Sequence, residues 1–240
     1  MKILLLGGTS VAVKLAKQLI ALKLDISYSV AGLVRQPSLD CKILTGGFQG
    51  NLAAYLRKNS IDLLLDATHP YAKNISKQAV QAAAEVNIPC WQYTRPAWQQ
   101  QKDDNWIIFQ NWHDLLAKLQ NYQRPFFAMG QTPLLHLDDI SKNQYWTVRT
   151  AISQNINHQQ LHTITAIGGF SLDKELDLIK QQNIDVLICK NSGGESVFSK
   201  LIAARQVKIP VLIQARPSQT KADKSFSKIE EIVNNVQLIL

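Results

Sequence analysis

Cysteine is scarce in this chain of 240 residues: there are three, widely separated, and no two of them form a Cys-x-x-Cys pair. An odd number of distant cysteines argues against a disulfide framework and favours reduced thiols in the cytoplasm. The apolar run at the N-terminus reaches only Leu6 before it meets Gly7, which is too short for a signal peptide or a membrane span. We therefore expect a cytoplasmic protein that does not enter a membrane.

Long runs of charge are also absent. Lys and Arg together number 26 against 18 Asp and Glu, which gives a formal charge of +8 and a pI near 9.4, yet the cations are spread singly along the chain. This pattern lacks a basic tail and makes nucleic acid the weaker explanation for the charge. A small anion, such as a phosphorylated cofactor or a polycarboxylate, is the better explanation.

Several catalytic motifs are missing as well. There is no Gly-x-Ser-x-Gly elbow and no Walker loop, which excludes the hydrolase and P-loop classes that depend on them. His158 and His162 have the spacing of a helical metal pair, but no third ligand follows them. We predict that the protein has no metal site.

The chain does contain a strand, turn and helix of the phosphate-binding kind at its start. Residues 3–6 are predicted to form a strand, Gly7-Gly8-Thr9-Ser10 a tight turn, and the apolar residues behind it recur at helical spacing. Glycines let the backbone approach a pyrophosphate, whose charge the helix start stabilises. The full Gly-x-Gly-x-x-Gly pattern is absent, so an ordinary strand-to-helix turn is the alternative interpretation.

Arg35 follows the second predicted strand, 26–30, where the adenosine ribose of a dinucleotide would lie. No acidic residue stands there, and a basic residue at this point tolerates the 2′-phosphate of NADP. The alternative is a solvated loop arginine.

Two later strands end in polar loops. Residues 61–66 are mostly apolar and lead into Thr68, His69, Pro70 and Tyr71; residues 184–189 lead into a loop at 190–194. Open parallel sheets bind ligands at such carboxyl ends. Lys190 directly follows its strand, and a lysine in that place more often faces a ligand or a carboxylate than plain solvent.

The second half of the chain repeats the first. Ile184-Asp185 corresponds to Ile61-Asp62, and Arg216-Pro217 corresponds to Arg95-Pro96, each displaced by about half the chain. We therefore predict an α/β protein of two related Rossmann-like domains, 1–100 and 106–240, with mostly parallel sheets facing a central cleft. The polar stretch 99–105 is the predicted linker.

Together the motifs resemble those of the precorrin-6A and cobalt-precorrin-6A reductases of cobalamin biosynthesis, over the full length of the chain. The shared sequences are Gly7-Gly-Thr, Gly46-Gly-Phe, Asp66-Ala-Thr-His-Pro-Tyr-Ala, Arg95-Pro-Ala-Trp, Lys190-Asn-Ser-Gly-Gly with Lys200, and Arg216-Pro. The resemblance implies reduction of a macrocycle double bond, from the 6A to the 6B form, by hydride transfer from NADPH, with NADH possible. It implies an anionic tetrapyrrole substrate. We expect the protein to be a monomer or a small homo-oligomer.

The switch-point geometry, together with the substrate that the resemblance implies, suggests roles for particular residues. Cofactor contacts are expected from Gly7, Gly8, Thr9, Ser10, Arg35, Thr68, His69 and Tyr71. Substrate contacts are expected from Arg95, Lys190, Asn191, Ser192, Gly193, Gly194, Lys200 and Arg216. His69 and Lys190 are the candidate catalytic residues, His69 as proton donor because an ordinary imidazole titrates near neutral pH. Protonation by solvent, with His69 only packing beside Pro70, is the alternative.

Three positions depart from the family pattern: Val11 replaces a usual Glu, Leu33 a usual Arg, and Gln49 a common Gly. Arg35 is two residues from the usual Arg, so the choice between NADPH and NADH stays open, as does the metal state of the substrate. Two other functions fit the same fold. One is a non-catalytic sensor of NAD(P), and the other is a reductase of a different conjugated acid.

Overall fold

The computed structural model describes residues 1–31, 37–48, 51–153, 155–167 and 169–240. It divides the chain into two compact units. Unit 1 comprises Met1–Pro96 and Pro217–Leu240, and unit 2 comprises Ala97–Arg216. The connections between them therefore lie at 96–97 and 216–217.

The described residues form twelve strands and seven α-helices. In chain order the strands are β1 Lys2–Leu6, β2 Asp25–Val30, β3 Lys42–Thr45, β4 Leu63–Asp66, β5 Cys90–Tyr93, β6 Trp106–Phe109, β7 Pro125–Ala128, β8 Trp146–Thr150, β9 Leu161–Thr165, β10 Val186–Lys190, β11 Val211–Gln214 and β12 Lys224–Phe226. The helices are α1 Ser10–Ala21, α2 Leu52–Lys58, α3 Lys73–Val86, α4 Trp112–Leu119, α5 Leu172–Gln181, α6 Ser199–Gln206 and α7 Ile229–Gln237. No helix in these ranges combines the length and apolar character needed to cross a membrane.

Unit 1 contains a six-stranded sheet in the order β3-β2-β1-β4-β5-β12, with every neighbouring pair parallel. The central pair β1 and β4 is apolar because helices cover both faces of such a sheet, and the register places Leu6 beside Asp66. From this pair, β2 and β3 are added on the side of β1, and β5 is added on the side of β4. The strand order therefore changes direction between β1 and β4, which makes this place a topological switch point. Ligands bind at such a switch point, outside the strands' carboxyl ends.

Unit 2 repeats this arrangement in the order β9-β8-β7-β10-β11-β6, again with parallel neighbours. Its switch point lies between β7 and β10. The α/β class and the two related Rossmann-like sheets predicted from the sequence are confirmed.

In each sheet, one edge strand belongs to a segment that follows a strand of the other sheet along the chain. β6 follows β5 along the chain but pairs with β11, and β12 follows β11 but pairs with β5. Unit 1 therefore includes Pro217–Leu240, although residues 106–240 were predicted to form one domain. Phe226 packs on Trp91 in unit 1, and Ile232 and Val236 of α7 are buried in the same cluster as α1.

The predicted linker 99–105 is bound into unit 2. The Asp104 side chain is 1% exposed, and its carboxylate accepts hydrogen bonds from the Gln101 N–H and from Arg205 Nε, each at 2.8 Å. The low apolar content of this stretch reflects hydrogen bonding and does not indicate a free tether.

The repeated aspartates have a structural explanation. Asp62 accepts the main-chain N–H of Lys2 at 2.7 Å, and Asp185 accepts those of Gln123 and Arg124 at 2.6 and 3.0 Å. Each carboxylate thus fixes the chain just before or at the beginning of a central strand, β1 in unit 1 and β7 in unit 2. These residues lie at the amino ends of the strands, away from the switch points.

Candidate functional site

The turn after β1 is built around Tyr28 of β2. The Gly7 N–H donates to Ser29 O at 2.8 Å, and the Gly8 N–H donates to the Tyr28 hydroxyl at 3.1 Å. A Cβ on Gly7 would lie 2.2 Å from the Tyr28 ring, which is fully buried, so only glycine fits. Gly8 has a φ of +98°, a conformation that favours glycine, and a Cβ there would meet nothing within 4 Å.

Thr9 caps α1 and ties it to β4. Its hydroxyl accepts the Ala12 N–H and donates to Ala67 O, both at 3.1 Å. In the described part of the chain, the N–H groups of Ser10 and Val11 have no hydrogen-bond partner. Unpaired amides at a helix start, beside open space at Gly8, suit the two charges of a pyrophosphate. The turn therefore fits a dinucleotide, with Thr9 contributing its backbone because its hydroxyl is already engaged.

The loop after β4 is fixed by Asp66. This carboxylate is 2% exposed; one oxygen accepts the Thr68 N–H at 3.0 Å and the Thr68 hydroxyl at 2.6 Å, and the other accepts Gln92 Nε2 at 3.2 Å. The Thr68 hydroxyl also lies 3.3 Å from that of Ser76 on α3. Burying a carboxylate is costly in free energy unless N–H and O–H groups donate hydrogen bonds to it, as they do here. Thr68 thus holds the backbone of the loop beside the glycine turn.

His69 is oriented by its own loop. Its Nδ1 accepts the Tyr71 N–H at 3.3 Å, and the two rings lie 5.7 Å apart. Because Nδ1 accepts, the proton of a neutral imidazole resides on Nε2. Gln219 donates to Pro70 O at 2.7 Å and thereby holds the same loop from the segment that returns to unit 1.

In unit 2 the loop 190–194 begins at Lys190, the last residue of β10, at the equivalent switch point. Lys190 is half-buried, and burial lowers the pKa of its ammonium. Ser192 is buried and its N–H donates to Lys190 O at 2.8 Å, while Gly193 has a φ of +70° that allows the chain to turn. Gly194 is also buried.

Asn191 differs from its predicted role. Its side-chain oxygen accepts the Trp98 N–H at 2.8 Å, and its side-chain nitrogen donates to Trp98 O at 3.2 Å. Its main-chain oxygen accepts Arg216 Nε at 2.8 Å. The side-chain amide therefore pairs with the Trp98 backbone, although Asn191 was predicted to contact the substrate.

Lys200 also lies elsewhere than expected. The residue is 4% exposed, its ammonium donates to Val197 O at 2.6 Å and lies 5.1 Å from the centre of the Trp98 ring, and burial lowers its pKa. A cation enclosed in this way cannot reach a substrate carboxylate without rearrangement. The sequence could not distinguish this buried lysine from an exposed one, because its position at a helix start allows both.

The remaining predicted residues divide between the units. The structure brings Gly7, Gly8, Thr9 and Ser10 next to the Thr68, His69 and Tyr71 loop at one edge of the first sheet, since β1 and β4 are neighbours. Arg95 follows β5 in unit 1, and burial lowers the pKa of its guanidinium. Arg35 lies outside the described residues. Three contributors to the first site were not predicted: Tyr28, Gln92 and Gln219.

The fold and the turn define a class: a two-unit Rossmann-like protein whose first unit has the glycine turn and helix start of dinucleotide-binding proteins. The family model described as precorrin-6x reductase CbiJ/CobK matches residues 2–237. The chain belongs to that family, which confirms the resemblance inferred from the motifs.

Individual relatives agree. The chain is 33% identical to the precorrin-6A reductase of Rhodococcus erythropolis, covering 95% of this chain and 94% of that protein. It is 31% identical to that of a Sinorhizobium species, covering 95% and 92%. A solved structure of CobK precorrin-6A reductase superposes with a TM-score of 0.89 at 27% identity, covering 99% of this chain and 96% of that one.

Proposed function

We propose that this protein is a precorrin-6A reductase that binds NADPH on unit 1 and reduces a double bond of the tetrapyrrole. The observation that supports this most directly is the turn 7–10, where unpaired amides at the start of α1 lie beside the loop of Thr68 and His69 at a switch point. Family membership supplies the reaction type.

Ser10 and Val11 would hold the pyrophosphate through their N–H groups, with Gly8 leaving room for it. Thr68, His69 and Tyr71 would line the nicotinamide. When bound, the reduced nicotinamide supplies the hydride. The turn and loop are already fixed by Tyr28 and Asp66, so little ordering would be needed on binding.

His69 would donate the proton that completes the reduction from Nε2 of its imidazolium form, because a neutral imidazole is too weak an acid for this step. Nδ1, which accepts the Tyr71 N–H in the neutral form, would first take up a proton and release that hydrogen bond. If His69 acts in this way, His69→Ala should lower turnover by roughly 10²-fold. Near-normal turnover would assign protonation to solvent.

The substrate implied by the family carries many carboxylates. Lys190 and Arg216, at the carboxyl edge of the second sheet, and Arg95 of unit 1 are the proposed partners for them. The N–H groups of Gly193 and Gly194 and the Ser192 hydroxyl would contact the ring edge. Neither Lys200 nor the Asn191 side chain is retained as a direct contact, because both are bound to Trp98.

The test uses matched glycine variants in the two units. Gly8→Glu places a bulky anion at the proposed pyrophosphate site, and Gly130→Glu makes the same change in the turn after β7, where φ is also positive and a Cβ also meets nothing within 4 Å. We expect NADPH affinity to fall by roughly 100-fold or more in Gly8→Glu through charge repulsion and lost contacts, and to change little in Gly130→Glu. Equal affinities in the two variants would refute the placement.

Activity is tested by anaerobic incubation with precorrin-6A, its cobalt form and other conjugated acids, following the loss of nicotinamide absorbance. NADH in place of NADPH, with Arg35→Ala alongside, measures the cofactor preference. Cofactor binding without oxidation by any substrate would favour the sensor function. Oxidation of the nicotinamide only in the presence of another conjugated acid would favour a reductase of that acid.

A further inference from the structure

Asn191 contacts the first and last segments of unit 2. Its side-chain amide pairs with both main-chain groups of Trp98, the second residue of the unit, at 2.8 and 3.2 Å. Its main-chain oxygen accepts Arg216 Nε at 2.8 Å, and Arg216 is the last residue of the unit. One residue of the loop 190–194 is therefore bound to both segments that continue into unit 1.

The partly buried Trp98 side chain packs against residues that follow the same loop. Its ring centre lies 5.8 Å from that of Phe198 and 5.1 Å from Lys200 Nζ. Lys200 is nearly fully buried and is held by Val197 O, so its cation is stabilised by that carbonyl and by the ring face. The loop and the start of α6 thus fix Trp98 through both its backbone and its indole.

The equivalent position in unit 1 lacks this arrangement. The sequence repeat aligns Asn191 with Thr68, whose hydroxyl bonds to Asp66 and lies beside Ser76. Thr68 therefore stabilises its own loop, whereas Asn191 binds residues far away in sequence. The difference indicates that Asn191 has a task specific to the second unit.

We propose that Asn191 is a positioning residue that couples the substrate-binding loop 190–194 to both chain connections. This inference rests on the proposed function, because it takes the loop as the place where the substrate binds. A substrate held by Lys190 and the glycine amides would fix the loop, and Asn191 would pass that constraint to Trp98 and Arg216. Correct placement of reacting groups depends on such supports, and small displacements lower the rate strongly.

The proposal differs in its kinetics from direct substrate contact. If the Asn191 amide touched the substrate, its removal would raise KM while leaving kcat nearly unchanged. A positioning residue instead affects the step in which the reacting groups must be aligned. Its loss would lower kcat and leave substrate KM and cofactor affinity near their normal values.

The experiment compares Asn191→Ala and Asn191→Asp with Gln160→Ala in the full-length protein. Asn191→Asp retains an acceptor for the Trp98 N–H but loses the donor to Trp98 O. Gln160 is a matched control, because its side-chain amide also binds main-chain carbonyls in unit 2, those of Ser141, Lys142 and Gln144, away from the connections. Each variant is assayed with NADPH and precorrin-6A, and amide exchange at Trp98 is measured.

We expect kcat to fall roughly 10- to 100-fold in Asn191→Ala, less in Asn191→Asp and hardly at all in Gln160→Ala, with substrate KM within about 2-fold throughout. Trp98 exchange should accelerate in Asn191→Ala. A raised KM with unchanged kcat, or unchanged kcat and KM, would overturn the proposal. If the wild type neither binds NADPH nor reduces precorrin-6A, the proposed function fails; unchanged Trp98 exchange in Asn191→Ala would then overturn the coupling separately.

Discussion

The two units share one strand order but differ in the first connection after the central strand. In unit 1, β1 leads through Gly7 and Gly8 into the 12-residue helix α1, capped by Thr9. In unit 2, β7 leads through Gly130 into two short 3-10 turns, Thr132–Leu135 and Leu137–Asp139, before β8. Both units therefore have a switch point, but an α-helix follows the central strand β1 of unit 1, whereas only 3-10 turns lie between β7 and β8 of unit 2.

The units also differ in how they stabilise buried polar groups. Unit 1 surrounds the Asp66 carboxylate with neutral donors. Unit 2 buries an ion pair, Arg149 with Glu175 at 2.9 Å, and the cation of Lys200. A buried charge is costly unless it is paired, so the stability of unit 2 depends more strongly on individual partners.

Glu175→Ala should show this dependence most clearly. It would leave the Arg149 guanidinium buried between Phe126 and Phe170 without its carboxylate, at a cost of about 3–5 kcal/mol. Chemical unfolding monitored by circular dichroism measures the loss. The matched change in unit 1 is Glu85→Ala, which removes the ion pair with Arg57 where both side chains are more than half exposed, and it should cost at most about 1 kcal/mol.

The double variant Arg149→Met with Glu175→Met sharpens the comparison. If the cost arises from an uncompensated charge, removing both partners should destabilise the protein less than Glu175→Ala alone. A double variant as unstable as the sum of the single ones would show that packing around the pair dominates.

Gly7→Ala tests the difference between the glycine turns that follow β1 and β7. The new Cβ would overlap the buried Tyr28 ring, with an expected loss of about 1–3 kcal/mol in unfolding free energy. In unit 2, Gly130→Ala meets no neighbour and suffers only from its positive φ. Thermal and urea unfolding should therefore show coupling between Gly7→Ala and Tyr28→Leu, which removes the obstructing ring. Additive effects of those two changes would contradict the explanation.

Elements that are marked by a short local pattern, or by a pattern that recurs in both halves, could be predicted from the sequence. The apolar strands, the glycine turn and the Arg-Pro pairs were sufficient to infer two related sheets and two switch points. The destination of the final segment could not be inferred, because β12 spans only three residues, two of them exposed, and has no periodicity that selects a partner. Pairing of β12 with β5 depends on tertiary contacts such as Phe226 with Trp91.

Site residues were predictable by type and position but not by orientation. Asn191 belongs to the predicted loop 190–194 and Lys200 lies at the start of α6, yet both face Trp98, and the sequence does not tell which way such side chains point. Tyr28 gave no signal of its own, since an aromatic residue in a strand is ordinarily read as core. The steric need for glycine at position 7 becomes visible only when β2 is placed beside β1.

The smallest predicted effect concerns the pH dependence contributed by Lys200. Burial lowers its pKa in the folded protein below the value of an unfolded lysine. Between the folded and unfolded pKa values the unfolded chain binds more protons, so the unfolding free energy rises with pH in that interval. The destabilisation from burying the charge is complete below the folded pKa and disappears as pH rises through the unfolded value.

Lys200→Met removes this contribution, so the stability advantage of the wild type over the variant should grow as pH rises from the folded towards the unfolded pKa of this lysine, with a slope of at most about 1.4 kcal/mol per pH unit. Urea unfolding at several pH values measures it. Lys174→Met, at an exposed lysine of α5 in the same unit, should give a curve parallel to that of the wild type. A parallel curve for Lys200→Met as well would mean that the Lys200 ammonium is as well solvated as that of Lys174. That result would contradict the burial of Lys200 beside Trp98, on which part of the difference between the two units depends.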